Sequence, residues 1–374
     1  MINEERLVNL FKELCLIDAP ALGEHHCVAH TKRYLEALGL QVTEDNAGEI
    51  IGGKGNNLIA WLPGNVPGAP RIFLSAHFDT VEPTAGLEIE ERDGVFYSKS
   101  DTILGADDKG GMAPAIEAVN ALIETGAPHG DVCLLFSVAE EIGLKGAAAL
   151  KIEDLNLDFG YVLDTGPPVG TFVTRTATHD KIDVRIVGKP AHAGKDPEKG
   201  ISAIQVAASA IEGMRLGRIG PETTANFGII SGGSAVNVVP AEVKLRGEAR
   251  STNVAELDEI VDHIVGRFHD AAAKFGAEVF IDHVRHYDAY TIPNDAPVVA
   301  LAQKASRSLG FEPTLRTTLG GSDANVYNAK GVPCIVLATG MDKIHTHDEF
   351  ISRKDLVDTA RLAYEILVQA AEVR

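Results

Sequence analysis

The chain has 374 residues, 45% of them hydrophobic, and a formal net charge of −19 from 34 basic and 53 acidic side chains. A chain of this length fills more than one compact core, so two domains are expected, and an acidic balance without a basic run argues against a nucleic acid or an anionic membrane as partner. No apolar run reaches bilayer-spanning length, the first residues lack a secretion signal, and Cys15, Cys27, Cys133 and Cys334 are scattered. The expectation is a cytoplasmic protein with reduced, mostly buried thiols.

Leu7, Leu10, Phe11 and Leu14 recur at helical spacing, and a second amphipathic stretch with Val28, Tyr34, Leu35 and Leu38 stops at Gly39, a residue suited to a left-handed cap. Apolar runs at 57–61, 71–76, 132–138 and 161–163 then read as strands, alternating with helical stretches such as 110–124. That alternation predicts an α/β sheet with helices on its faces. From about Thr178 the pattern changes. Residues 181–187 alternate polar and apolar, and helices are expected over 201–214 and 254–275 among further strands, the pattern of a small inserted α+β unit. A helix at 296–309, a strand at 334–338 and a helix at 353–373 resume the first pattern. The expected domains are therefore 1–176 with 291–374, carrying the chemistry, and an inserted 177–290.

The chemistry-bearing residues lie at the ends of these runs. Ser75, Ala76, His77, Phe78, Asp79, Thr80 closes an apolar strand, and residues two apart point to the same side of an extended chain, so His77 and Asp79 converge. Gly105, Ala106, Asp107, Asp108, Lys109, Gly110, Gly111 sets two carboxylates before a helix, where acidic residues also serve as caps. Glu140 and Glu141 follow the next buried strand, and Asp164 follows another. Open α/β sheets place ligand sites at such carboxyl ends. Near the C-terminus come Lys343, Ile344, His345, Thr346, His347, Asp348 and Glu349. His77, Asp107, Glu141, Asp164 and His345 suit a two-metal site, with three protein ligands per ion if Asp107 bridges. Of the two glutamates, one is expected to bind metal and the other to stay free for proton transfer, because neighbouring strand residues face opposite ways. Spacing alone does not choose between His345 and His347.

In this order the motifs resemble the zinc aminoacylase, carboxypeptidase and tripeptidase family of metallohydrolases, most closely its peptidase T and peptidase T-like branch. The resemblance implies a mixed-sheet α/β di-metal exopeptidase domain with an inserted α+β lid and dimerisation domain. It implies that His77, Asp107 and Asp164 hold one ion and Asp107, Glu141 and His345 the other. It makes Asp79 the residue that orients His77 and Glu140 the general base, and it favours His345 over His347 because Glu349 follows four residues later. Within the insertion it gives His192, in Gly188, Lys189, Pro190, Ala191, His192, Ala193, Gly194, a role in the partner subunit's site and hence a homodimer.

It also makes Asn237 and Arg250 substrate contacts. Arg250 could grip a carboxylate bidentately or serve as an interdomain ion pair. Gly320 and Gly321, ahead of Ser322, Asp323, Ala324 and Asn325, either hold a substrate carboxylate on backbone N–H groups or form a turn capped by Asp323. Zinc suits the mixed donors, and cobalt or manganese could occupy the same positions. The expected activity is hydrolysis of short peptides, foremost as a tripeptide aminopeptidase. The same chemistry on an N-acyl amino acid is the alternative, with a metal-binding homologue without catalysis as a third reading, although every residue that catalysis needs is present.

Overall fold

The buried apolar runs form the middle of an eight-stranded mixed sheet in the computed structural model, which describes residues 2–372. Four parallel strands lie side by side at its centre, Val132–Ser137, Ile72–His77, Phe159–Val162 and Cys334–Leu337. Every residue of these four is buried, as expected where helices cover both faces of a parallel sheet. Leu58–Leu62, antiparallel to Val132–Ser137, and then Gln41–Glu44 complete one edge, and Thr171–Arg175, antiparallel to Cys334–Leu337, and then Thr314–Thr317 complete the other.

The 20-residue helix Ala106–Thr125 is buried from Ala106 to Leu122 and packs against the helices Glu4–Cys15 and Arg353–Ala370. Its first turn is interrupted at Asp107 (φ −82°, ψ 103°) and Asp108 (φ −122°, ψ 34°), whose backbone is not helical, so the continuous helix starts at Lys109, one residue before the apolar pattern suggested. The closing helix ends at Ala370, and the expected end at Val373 lies outside the described residues. Gly39 takes φ +87° after the helix His25–Ala37, the left-handed conformation its position suggested. All four cysteines are free and buried.

Chain contacts define two units. One comprises the residues up to Thr174, Thr291–Thr317 and those from Ser322 onward, and the other comprises Arg175–Tyr290 with Thr318–Gly321. The second unit is a five-stranded antiparallel sheet, in the order Gly217–Gly220, Thr223–Gly232, Glu242–Ser251, Thr178–Val187, Glu278–Tyr287, with the helices Ala203–Glu212 and Val254–Phe275. Ile182, Val184 and Ile186 point to one side with Val243 and Leu245, and meet Leu257, Ile260, Ile264 and Phe268 of the longer helix. This alternation is the one seen in the sequence from Thr178 onward. Residues 318–321, expected with the first domain, group with the second unit. The Thr318 N–H bonds the Arg175 carbonyl, the Arg250 guanidinium donates to the Leu319 carbonyl at 3.0 Å, and Gly321 lies against the Tyr287 ring so closely that a Cβ would collide with it.

Candidate metal centre

The four central strands run parallel and therefore end at the same edge of the sheet, and three of them lead to candidate donors. Ile72–His77 ends in His77 itself, Val132–Ser137 leads to Glu140 and Glu141, and Phe159–Val162 leads to Asp164. The helix Ala106–Thr125 contributes Asp107 at its start, and the loop before strand Phe350–Ser352 contributes His345, whose φ of +62° turns it out of the extended path.

Asp107 sits between the two histidines, with Oδ1 3.1 Å from His77 Nε2 and Oδ2 3.2 Å from His345 Nε2. His345 Nε2 is also 3.2 Å from Glu141 Oε1. Single ligand atoms of His77, Asp107 and Asp164 lie within 4.8 Å of one another, as do those of Asp107, Glu141 and His345. Asp107 belongs to both triads. A third grouping, His77 with Glu140 and Glu141, meets the same spacing, so both glutamates are within reach of a cation. The strand alternation expected to separate them does not apply. The strand stops at Ser137 and Ala139 takes φ +53°, which breaks the extended geometry before the pair begins.

His347 does not join this cluster. It is exposed, with Nε2 2.8 Å from Glu82 and Nδ1 3.1 Å from Asp101. His77 is held instead through Nδ1, which is 2.9 Å from the Asp79 carbonyl oxygen. The Asp79 carboxylate is 3.5 Å from that nitrogen and accepts the Glu140 and Glu141 N–H groups at 2.9 and 3.0 Å. It thus orients the glutamate pair more directly than the histidine.

Electrostatics mark the cluster as a place for cations. Burial raises Glu140 and Asp164 well above the usual carboxylate range, and Asp164 acts on Glu140, and Asp108 and Asp107 on Asp164, in the same direction. Burial would also raise Asp107, but hydrogen bonds with His345 and His77 outweigh it and hold Asp107 low. His345 is pushed up to about 10 by its bonds to Asp107 and then Glu141. Imidazole and carboxylate donors at these spacings fit divalent ions such as zinc.

Three supporting residues were not legible as such. Glu349 is buried and accepts the Gly105 and Asp107 N–H groups at 2.7 and 2.9 Å, which anchors the helix start that carries Asp107. Burial raises its carboxyl to about 7. Lys109, buried, donates to the Phe78 carbonyl at 2.5 Å, between His77 and Asp79. Asp323 is the first residue of the helix Asp323–Ala329 rather than its cap. Ser322 holds the cap position, and the Asp323 carboxylate accepts a hydrogen bond from Ser137 Oγ inside the fold.

The remaining expected residues lie in the second unit. His192 is exposed and bridges to Val238, and the Ala193 N–H bonds the Asn237 carbonyl at 2.9 Å, so His192 and Asn237 are neighbours. Arg250 makes two bonds to Glu248, Nε to Oε1 at 3.1 Å and an Nη to Oε2 at 3.0 Å, while His179 Nε2 is 3.1 Å from the same carboxylate. The Arg250 ion pair thus lies within one strand. The Gly320 N–H is used by Thr318 Oγ1 at 3.1 Å.

A mixed α/β sheet with histidine and carboxylates at the ends of its parallel strands, in a chain that also folds a separate antiparallel unit, is the arrangement of a metal-dependent hydrolase. The chain matches peptidase family M20/M25/M40 over residues 73–369 and belongs to that family, in its peptidase T-like branch. It is 38% identical over 372 residues, all of both chains, to the uncharacterized protein YqjE of Bacillus subtilis strain 168. Among solved structures it is similar to the aminopeptidase PepT of Bacillus cereus ATCC 10987, with 39% identity, 99% of each chain covered and a TM-score of 0.90. It is also similar to a tripeptidase of Staphylococcus aureus subsp. aureus Mu50, with 38% identity, 100% of each chain covered and a TM-score of 0.95. The chain is thus a metal-dependent exopeptidase. No helix among the described residues is long and apolar enough to cross a membrane.

Proposed function

We propose that this protein is a two-metal aminopeptidase that releases the N-terminal residue of short peptides, with free tripeptides as its foremost substrates. The observation that carries this reading is the Asp107 carboxylate, set between His77 and His345 at 3.1 and 3.2 Å and shared by two triads of donors. His77, Asp107 and Asp164 would hold one ion and Asp107, Glu141 and His345 the other. Zinc is the ion proposed, and when bound such a pair polarises an amide carbonyl and acidifies water.

Glu140 acts as the general base. It accepts the proton of the attacking water and returns it to the departing amine. Its carboxylate is nearly buried, and burial first, then the neighbouring carboxylates, raise its proton affinity, which suits a group that accepts a proton. Asp79 fixes the glutamate pair through two backbone N–H groups and the imidazole of His77 through its own carbonyl. His192 and Asn237 form a substrate-facing pair on the second unit, supported by their adjacency. Arg250 contacts substrate only by exchanging Glu248 for the substrate carboxylate, and Gly320 and Gly321 border that pair through the Leu319 carbonyl.

The protein acts as a homodimer formed through the second unit. Strand Gly217–Gly220 pairs with only the first residues of Thr223–Gly232, and beyond that point Ile229 and Ile230 are exposed on an edge with a neighbour on one side. Such an edge invites a second strand. The names of the Bacillus cereus and Staphylococcus aureus proteins support the aminopeptidase and tripeptide assignments.

The test is hydrolysis of free tripeptides, N-blocked tripeptides and N-acyl amino acids by zinc-loaded and chelator-treated protein. Cleavage of free tripeptides that chelation abolishes and zinc restores is the expected result. A preference for N-acyl amino acids would overturn the substrate assignment, and activity unchanged by chelation would overturn the metal centre.

A further inference from the structure

The four backbone amides leading through the glutamate pair are all held by side chains. The Val138 N–H donates to Asn57 Oδ1 at 3.0 Å, that of Ala139 to Glu24 Oε1 at 2.9 Å, and those of Glu140 and Glu141 to the two oxygens of Asp79. The strand has ended at Ser137, so no sheet neighbour supplies these acceptors. Within this run Ala139 has φ +53°, a left-handed conformation that a residue with a Cβ holds only when its surroundings impose it.

Glu24 is the group that imposes it. Its side chain is fully buried, and its Oε1 accepts two N–H groups, that of Ala139 and that of Leu22 at 2.8 Å. Leu22 is itself left-handed, at φ +68°. One carboxylate oxygen thus secures two residues that would otherwise relax to negative φ. Its other oxygen, Oε2, is buried without a hydrogen-bond partner. Burying a carboxylate this way costs stability, and an apolar side chain would avoid that cost but leave the Ala139 amide unsatisfied.

We infer that Glu24 is a positioning residue for the proton-transfer step: by accepting the Ala139 N–H it fixes the left-handed turn that directs Glu140 and Glu141 to the metal donors. This rests on the reading of Glu140 as the base. Glu24 touches neither substrate nor metal donor side chains in this role and acts through the backbone of residue 139.

The test compares Glu24→Ala, Glu24→Asp and Glu24→Gln with the parent, by amide hydrogen exchange over residues 135–144, zinc content and steady-state kinetics on a tripeptide. Glu24→Ala should exchange at least about tenfold faster in that segment. Its kcat should fall by about 10²-fold, the effect of a displacement of about 1 Å in a catalytic group, with KM within about twofold of the parent. Glu24→Gln keeps an oxygen for the Ala139 N–H and should retain protection and most of kcat. Glu24→Asp withdraws the acceptor by one methylene and should lie between, and it carries the test if Glu24→Ala does not fold.

Parent-like protection of the segment in Glu24→Ala or Glu24→Asp would overturn the inference. So would parent kcat in both, or equal losses in Glu24→Gln and Glu24→Ala. If the parent cleaves no tripeptide, the aminopeptidase reading falls, and the exchange data alone decide whether Glu24 holds this turn.

Discussion

Glu140 and Glu141 are adjacent in sequence and converge on the same histidine, so their different roles rest on which carboxylate meets His345. Replacing Glu140 by Gln preserves the side-chain shape and the backbone bond to Asp79 but removes the proton acceptor. Two metals per chain should remain bound while kcat falls by about 10² to 10⁴-fold, as metal analysis and kinetics on one preparation will check. His345 and His347 give a second separation at this scale. His345→Ala should lower the metal content from two ions per chain toward one, because its nitrogen faces Asp107 and Glu141. His347→Ala should leave it at two, because that ring meets Glu82 and Asp101 at the surface. The ligand residue types were legible, since His and carboxylates at strand ends form a pattern. Glu24 was legible only as an ordinary glutamate, and Glu349 only as a marker four residues after His345. What gives them work is a hydrogen bond to a backbone amide 115 or 242 residues away, and no spacing encodes that.

Among the elements, the four central strands were readable to within about two residues because their apolar runs are continuous, and a parallel sheet with covered faces requires such runs, whereas short flanking strands such as Gln41–Glu44 and Thr314–Thr317 left no such run. The backbone break at Asp107 and Asp108 and the bend at Ala139 were not readable, because the amides there are held by side chains distant in sequence. Gly160 shows how tightly the central strands are packed. It pairs in register with Phe73, whose ring occupies the space a Cβ would need and meets Tyr327 edge-on at 5.5 Å. Gly160→Ala should therefore destabilise the fold by about 1 to 3 kcal/mol, the range for overpacking a core, and a thermal melt should show it as a Tm several degrees lower. In the second sheet the Glu248 carboxyl is held at about 2, first by the hydrogen bond from His179 and then, against partial burial, by Arg250. A carboxyl lowered on folding adds stability above its unfolded pKa, near 4.3, and that stability is lost as pH falls through the folded value. Acid unfolding followed from pH 5 to pH 2 should accordingly be shallower for Glu248→Gln than for the parent. The variant should also start less stable at pH 5, where the parent's ion pair is intact.

For the molecule as a whole, the decisive question is whether one chain completes its own site. The sequence located His192 in a short turn, and the structure places it on the surface of the second unit beside Asn237, while every proposed metal donor lies in the first. If His192 serves the partner's site, a chain with His192→Ala and a chain with Glu140→Gln are each inactive as homodimers, yet complement each other. In their heterodimer the first chain supplies Glu140 and the second supplies His192, which restores one of the two sites. Equal mixing with free exchange makes half of the dimers mixed, so about a quarter of the parent activity should return. If His192 serves its own chain, neither site of the heterodimer has both residues and no activity returns, even when native mass spectrometry shows that subunits have exchanged. Ile230→Glu supplies the complementary arm. A charge on the exposed edge strand should shift the protein to monomers in sedimentation, and those monomers should lose kcat while keeping two metals, because each would lack the histidine of a partner. Monomers with parent kcat would confine the reaction to a single chain.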